Sequence, residues 1–575
     1  MTQEQSGTRH EVGERAAGAL APESGLFEDL DEAGLGEALM QVVRASASRP
    51  LQSVSAAVQF SADLAQVPLA AAAQWLGRPI EPPVPLDPKD RRFADPAWST
   101  NPLFYGTRLG YAAACRFARD VVGSAALDAD TARKASLATE LLLDSLAPTN
   151  ILATNPAALK RAFDTGGMSL VRGARQFVDD VLTNGGRPRQ VDTRPFEVGR
   201  NLAATPAKVV YRNDLMELLQ YEPQTDQVRA NPMLCSPPWI NKYYVMDLAP
   251  QRSFIEWAVQ HGRTVFAISY KNASKETAGT TMDDYLVHGP QAALDVIAEI
   301  TGAETIDIVG LCLGGALTAI TDAWLRQSGD DRIGTLTLLN TMLDYTEPGP
   351  LQAFTDIKTV ERLERKMRRE GVLDATSMAG TFDVLRANDL IFNYVVSNWL
   401  LGEDPPAFDI LAWNADSTRM PAEMHAFYLR NFYVENKLAT GDLQIAGKQI
   451  DLSAIKAPAY VVSAINDHIV PWQSSYKTTG LVSGPVRFVL SSGGHIAGIV
   501  NPPGPKAWHQ VQPTDESLPA SASAWLSGAE RRSGSWWEDW TRWSEDNSGP
   551  LVAPPPLGSD RHPVLGEGPG TYVRS

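Results

Sequence analysis

The sequence predicts an α/β fold preceded by an α-helical domain, and three observations carry that prediction. From about Ala207 onward, short β-branched runs alternate with helical patterns, as in a mostly parallel sheet. One strand-to-helix junction, Ile308 to Ala316, is a turn of small residues around a cysteine. Ahead of Ala207, apolar residues recur at helical rather than strand spacing.

In chain order, residues 1 to about 24 are polar, and Leu26 to Leu76 reads as one or two amphipathic helices ended by Pro82, Pro83 and Pro85. A second helical stretch runs from about Asn101 to Leu182. We therefore divide the front of the chain into a variable segment of amphipathic helices, residues 1–85, and a helical domain, residues 86–205. Strands are expected at Val209 to Tyr211, Met233 to Cys235, Thr264 to Ser269, Thr305 to Val309, Gly334 to Leu339, Ala459 to Ser463 and Val486 to Leu490. They define a catalytic domain over residues 206–545. Its insertion, about 345–438, is mainly helical and is expected to form a lid. The Gly- and Pro-rich tail, residues 546–575, reads as a tether or loosely docked end.

Composition narrows the function. With 44% hydrophobic and 21% charged residues the chain is that of a globular protein, and no apolar run is long enough to span a bilayer. The start lacks the basic and apolar stretches of a secretory signal, so a cytoplasmic protein is expected. A net charge of -16 argues against nucleic acid. Cys115, Cys235 and Cys312 have neither metal-ligand spacing nor an even count, which argues against a metal site or a disulfide framework.

The chemistry is carried by Ile308-Val309-Gly310-Leu311-Cys312-Leu313-Gly314-Gly315-Ala316. Strand, tight turn and helix form a nucleophile elbow with cysteine at its apex, which specifies an α/β-hydrolase fold. Gly310 and Gly314 spare the turn a Cβ clash, and the helix N-terminus favours a thiolate. In this fold a carboxylate and then a histidine follow the nucleophile along the chain. Asp467 follows the strand ending at Ser463, and His495 follows the last strand within Ser491-Ser492-Gly493-Gly494-His495. His468 is the rival base, but it adjoins the acid. The oxyanion hole is expected from the backbone amides of Leu313 and, in Pro237-Pro238-Trp239-Ile240-Asn241, of Ile240.

The elbow, the segment Pro237 to Tyr244 and Asp467-His468-Ile469-Val470-Pro471-Trp472 together resemble the polyhydroxyalkanoate synthases. The likeness extends through Arg92 to Trp98, Ala153-Thr154-Asn155-Pro156, Phe196 to Asn201, Tyr428-Leu429-Arg430-Asn431, Gly493 to Gly498 and Ser535 to Trp540, from about residue 87 to 545. The length resembles the long single-subunit type. The resemblance implies an acyltransferase that polymerises (R)-3-hydroxyacyl-CoA into polyester and releases CoA. Cys312 would be the acylated nucleophile, His495 the base and Asp467 the third member. Asp467 would act on His495 or on the substrate hydroxyl.

It further implies no cofactor, since the CoA thioester is the substrate. Activity would reside in a homodimer on cytoplasmic polyester granules, with phasin-type proteins as companions. An anionic CoA needs a basic mouth, for which Lys242, Arg252 and Lys271 are the candidates. Two rivals remain: a cysteine hydrolase of the same fold, and a granule-coating scaffold without turnover.

Overall fold

The computed structural model describes residues 33–513 and 518–575. Contacts divide the chain into two units. One comprises Met1–Asp192 with Ser377–Pro406, the other Thr193–Thr376 with Ala407–Ser575.

The first unit is helical. Its main helices are α1 (Leu35–Ser48), α2 (Pro50–Trp75), α3 (Pro102–Ser124), α4 (Ala129–Ser145) and α5 (Met168–Thr183). The first part of the expected stretch, 26–32, lies outside the described residues. Asn101 and Asp128 cap α3 and α4 by accepting bonds from amides of the first turn. Leu109, Ala70, Ala71 and Tyr105 close one small core, and Ala38, Val42, Val122 and Ala135 another. These cores join α1 and α2 to α3 and α4, so the break expected at residue 85 is not a structural boundary. The insertion also differs from expectation. Its part Ser377–Pro406 belongs to this unit, where Trp399 Nε1 donates to Asp180 Oδ2 at 2.9 Å and Gln190 Nε2 to Asp383 Oδ1 at 2.9 Å.

The second unit is built on an eleven-stranded sheet. Its strands are β1 (Ala207–Arg212), β2 (Met216–Tyr221), β3 (Met233–Ser236), β4 (Val265–Tyr270), β5 (Ile306–Leu311), β6 (Ile333–Leu339), β7 (Ala459–Ala464), β8 (Val486–Ser491), β9 (Trp508–Val511), β10 (Glu530–Ser533) and β11 (Gly566–Glu567). Their spatial order is β10-β9-β8-β7-β6-β5-β3-β4-β2-β1-β11. From β4 through β8 the pairs are parallel, and the outer ones are antiparallel. Every residue of β3, β4, β5 and β7 is buried, as expected of parallel strands covered on both faces. Order and direction are those of an α/β-hydrolase fold. Register places Leu311 beside Leu339, Leu339 beside Val462 and Ser463 beside Leu490. The carboxyl ends of β5 to β8 therefore open onto one rim.

Helix α6 (Leu313–Arg326) leaves that rim almost wholly buried. The insertion contributes α7 (Ile357–Glu370) and, nearer its end, the helix Ala422–Tyr428. After β10, α8 (Trp536–Asn547) buries Trp536, Trp537 and Trp540. Among the described residues no helix is long and apolar enough to cross a membrane.

The tail is docked rather than loose. β11 pairs with β1, and Gln220 exchanges hydrogen bonds of 2.8 Å with Pro556 and Gly558. Glu217, fully buried on β2, accepts from Arg212, from the Thr571 amide and hydroxyl at 2.8 Å, and from the Tyr572 amide at 2.9 Å. A buried carboxylate without such donors is costly. Glu217→Gln should therefore lower stability by about 2 to 3 kcal/mol, seen as a drop of several degrees in melting temperature. An unchanged melting curve would mean that the tail contributes no binding energy.

Candidate active site

Crowding fixes the elbow. A Cβ on Gly310 would lie 2.5 Å from the Gly315 Cα, and one on Gly314 would lie 2.2 Å from the Ser236 carbonyl oxygen and 2.5 Å from that of Pro237. Only glycine allows β5, α6 and the loop after β3 to approach so closely. Cys312, caught between, adopts φ 53° and ψ -115°. A non-glycine residue there carries about 1 to 3 kcal/mol of strain, sustained by its surroundings. The Cys312 amide donates to Leu339 at 2.8 Å, and the Thr341 hydroxyl donates to the Cys312 carbonyl at 3.2 Å. The thiol carrier is buried, at 8% exposure.

Asp467 and His495 reach the same rim from β7 and β8. Asp467 Oδ1 accepts from the amides of Ile469 at 2.8 Å and Val470 at 2.9 Å, which aims Oδ2 at His495 Nδ1, 2.7 Å away. With Nδ1 so engaged, Nε2 is the ring nitrogen left for the nucleophile. The carboxylate is spent on His495. Burial alone would lower the His495 pKa, but the negative charges of Asp467 and Cys312 outweigh it and push the imidazole up to about 10.

The loop bearing His495 is itself held. The indoles of Trp536 and Trp537 donate to the Gly498 and Ile499 carbonyls at 2.9 Å, and Asn340 Nδ2 donates to the His495 carbonyl. Leu313, first residue of α6, offers an amide that has no intrahelical acceptor. Ile240 is half-buried in the turn after β3, the loop whose carbonyls crowd Gly314.

Comparisons with known proteins decide the family. Residues 89–258 match the model described as "Poly-beta-hydroxybutyrate polymerase (PhaC) N-terminus", and residues 228–502 match the alpha/beta hydrolase fold. The chain is 38% identical to the "Poly(3-hydroxyalkanoate) polymerase" of Methylorubrum extorquens, over 97% of this chain and 92% of that one. It is 41% identical to "Poly(3-hydroxyalkanoate) polymerase 2" of Ectopseudomonas oleovorans, over 87% and 89%. With the polymerase subunit of Cupriavidus necator it shares 39%, over 84% and 83%. The chain belongs to the poly(3-hydroxyalkanoate) polymerase family.

In this polymerase-family chain the sequence reading missed an aromatic wall beside the cysteine. Tyr345, Tyr428 and Tyr433 feel the charge of Cys312, and burial pushes their phenols up so that they stay neutral. Ring centroids are 4.9 Å apart for Tyr345 and Tyr433, 5.5 Å for Tyr428 and Tyr433, and 5.7 Å for Trp239 and Tyr428. The available signal was the run of aromatics at Phe427, Tyr428, Phe432 and Tyr433. Two of the basic residues proposed to meet CoA are engaged within the protein. Lys242 is buried and donates to the Ser575 carbonyl at 2.6 Å, while Arg252 pairs with Asp409 at 3.1 Å. Lys271 lies over the Tyr572 ring, 5.3 Å from its centroid.

The raised His495 pKa makes protonation of that ring stabilising. The benefit is complete below the ordinary imidazole value of 6.5 and is lost as pH rises through about 10. The melting-temperature advantage of the wild type over His495→Gln should thus be largest near pH 6 and shrink toward pH 10. A pH-independent difference would show that His495 is not held as the cation.

Proposed function

We propose that the chain polymerises (R)-3-hydroxyacyl-CoA into polyester, through an acyl-cysteine on Cys312. The observation that carries the reading is the strained elbow, which holds Cys312 at a helix N-terminus on the rim that also bears His495, itself bound to Asp467.

The Cys312 sulfur, its proton passed to His495, attacks the thioester carbonyl. The oxyanion is met by the Leu313 and Ile240 amides. The carbon–sulfur bond to CoA breaks, and His495 returns the proton to the departing CoA thiolate. One thioester is exchanged for another, so the acyl group stays activated. The 3-hydroxyl of a second hydroxyacyl unit then attacks and gives up its proton to His495. An oxoester forms, a downhill step from a thioester. The buried, aromatic surroundings of Cys312 exclude water, which supports polymer formation over the cysteine-hydrolase reading. A scaffold without turnover leaves the elbow and its histidine unexplained.

Association with a polyester granule is supported by apolar side chains exposed on α1 and α2: Met40, Val43, Val54, Val58, Leu69 and Trp75. Phasin-type companions and an active homodimer belong to the same reading, as does a CoA substrate without further cofactor.

Given 3-hydroxybutyryl-CoA, the protein should release CoA and deposit insoluble polymer; CoA with soluble acid would indicate a hydrolase. Cys312→Ala should abolish both products, and any polymer from it would sink the nucleophile assignment. Cys312→Ser should be badly impaired, because its acyl form is an oxoester. Asp467→Asn should release about one equivalent of CoA quickly and then stall with acyl-Cys312. The reason is that a thiol near pKa 8.5 ionises far more readily than a substrate hydroxyl. Mass spectrometry of the quenched variant checks this, and slow acylation without accumulated acyl-enzyme would place Asp467 on the thiol step.

A further inference from the structure

The loop after β3 carries one polar group that the reaction as described does not use. Trp239 is 3% exposed, and its indole Nε1 is buried without a hydrogen-bond acceptor among the described residues. An orphaned buried donor costs free energy and calls for an explanation. Trp239 is not core filler remote from the chemistry. It stands three residues after Ser236, whose carbonyl packs against Gly314, two residues past the cysteine. Its ring is held edge-on between Tyr285, at 5.9 Å, and Tyr428, at 5.7 Å. Tyr428 in turn packs edge-on against Tyr345, at 6.3 Å, in the segment that leaves the rim after β6. The donor is therefore fixed by two aromatic neighbours in the wall beside the reacting sulfur.

A hydroxyacyl group on that sulfur has two oxygens near the protein. The one on its carbonyl carbon is met by backbone amides. The other, on C3, is a hydroxyl before elongation and an ester oxygen afterwards, and in either form it accepts a hydrogen bond. The wall around it otherwise presents the rings of Tyr345, Tyr428 and Tyr433, packed edge to face on one another. We infer that the Trp239 indole N–H binds the C3 oxygen of the acyl group carried by Cys312, so that Trp239 selects oxygenated over plain acyl chains. This rests on Cys312 being the acylated residue.

The test compares two probes in single-turnover CoA release: (R)-3-hydroxybutyryl-CoA and butyryl-CoA, which lacks the C3 oxygen. Trp239→Phe keeps an aromatic ring and removes the donor. It should slow acylation by the hydroxylated probe by about five- to tenfold, the size of one neutral hydrogen bond, and leave butyryl-CoA almost unchanged. Trp239→Gln, which restores an N–H, should recover part of the preference. The ratio between probes is internal to each preparation, so partial misfolding cancels. Equal losses on both probes, or none on either, would overturn the role of Trp239 alone. Failure of the wild type to acylate Cys312 with either probe would overturn the nucleophile reading and this inference with it.

Discussion

The close approach of β5, α6 and the loop after β3 is the constraint on which the site depends. Gly310 and Gly314 have no room for a methyl group, and Gly315 is pressed equally closely against the Thr341 side chain. The turn they enclose leaves Cys312 no relaxed backbone conformation. Strain of this kind persists because the surrounding packing over-determines it. The same contact sets the loop after β3, which carries Ile240, against the start of α6, which carries Leu313.

The second half of the site comes from β7 and β8, beyond β6 from the elbow on the same rim. Asp467 is aimed by two amides of its own loop, so its orientation costs no neighbouring side chain. His495 is held through its backbone by Asn340 from beyond β6, and its loop by the indoles of Trp536 and Trp537, which donate to Gly498 and Ile499. Removing a carboxylate from water beside an imidazole is expensive unless the pair is charged and bonded. Here the bonded Asp467 carboxylate favours the protonated ring, which raises the imidazole pKa.

How much of this was legible in the sequence varied with the range of the forces involved. β4, β5 and β7 are β-branched and wholly buried, so local composition found them. β2 reads Met-Glu-Leu-Leu-Gln-Tyr, a run of good helix formers, and becomes a strand only because β1 and β4 pair with it on both sides. The outer strands β9, β10 and β11 are short, and β10 is Glu-Arg-Arg-Ser, whose charges mask its pairing. Cys312, Asp467 and His495 were readable because each sits in a loop whose glycines or flanking strand announce its geometry. The aromatic wall was not, because Trp239, Tyr345 and Tyr428 meet only through the fold. Lys242 and Arg252 looked like free cations for the same reason, since the partners that occupy them are distant in sequence.

The division of the chain has a consequence for its biosynthesis. The helical unit includes Ser377–Pro406 and is closed by contacts such as the Asp192 amide on the Pro406 carbonyl, at 3.0 Å. A ribosome adding about 5 to 20 residues per second needs on the order of ten seconds or more to travel from one of those residues to the other. The amino-terminal helices emerge first yet cannot complete their unit until most of the parallel sheet has been made. During that interval the surfaces reserved for residues 377–406 lack their native cover.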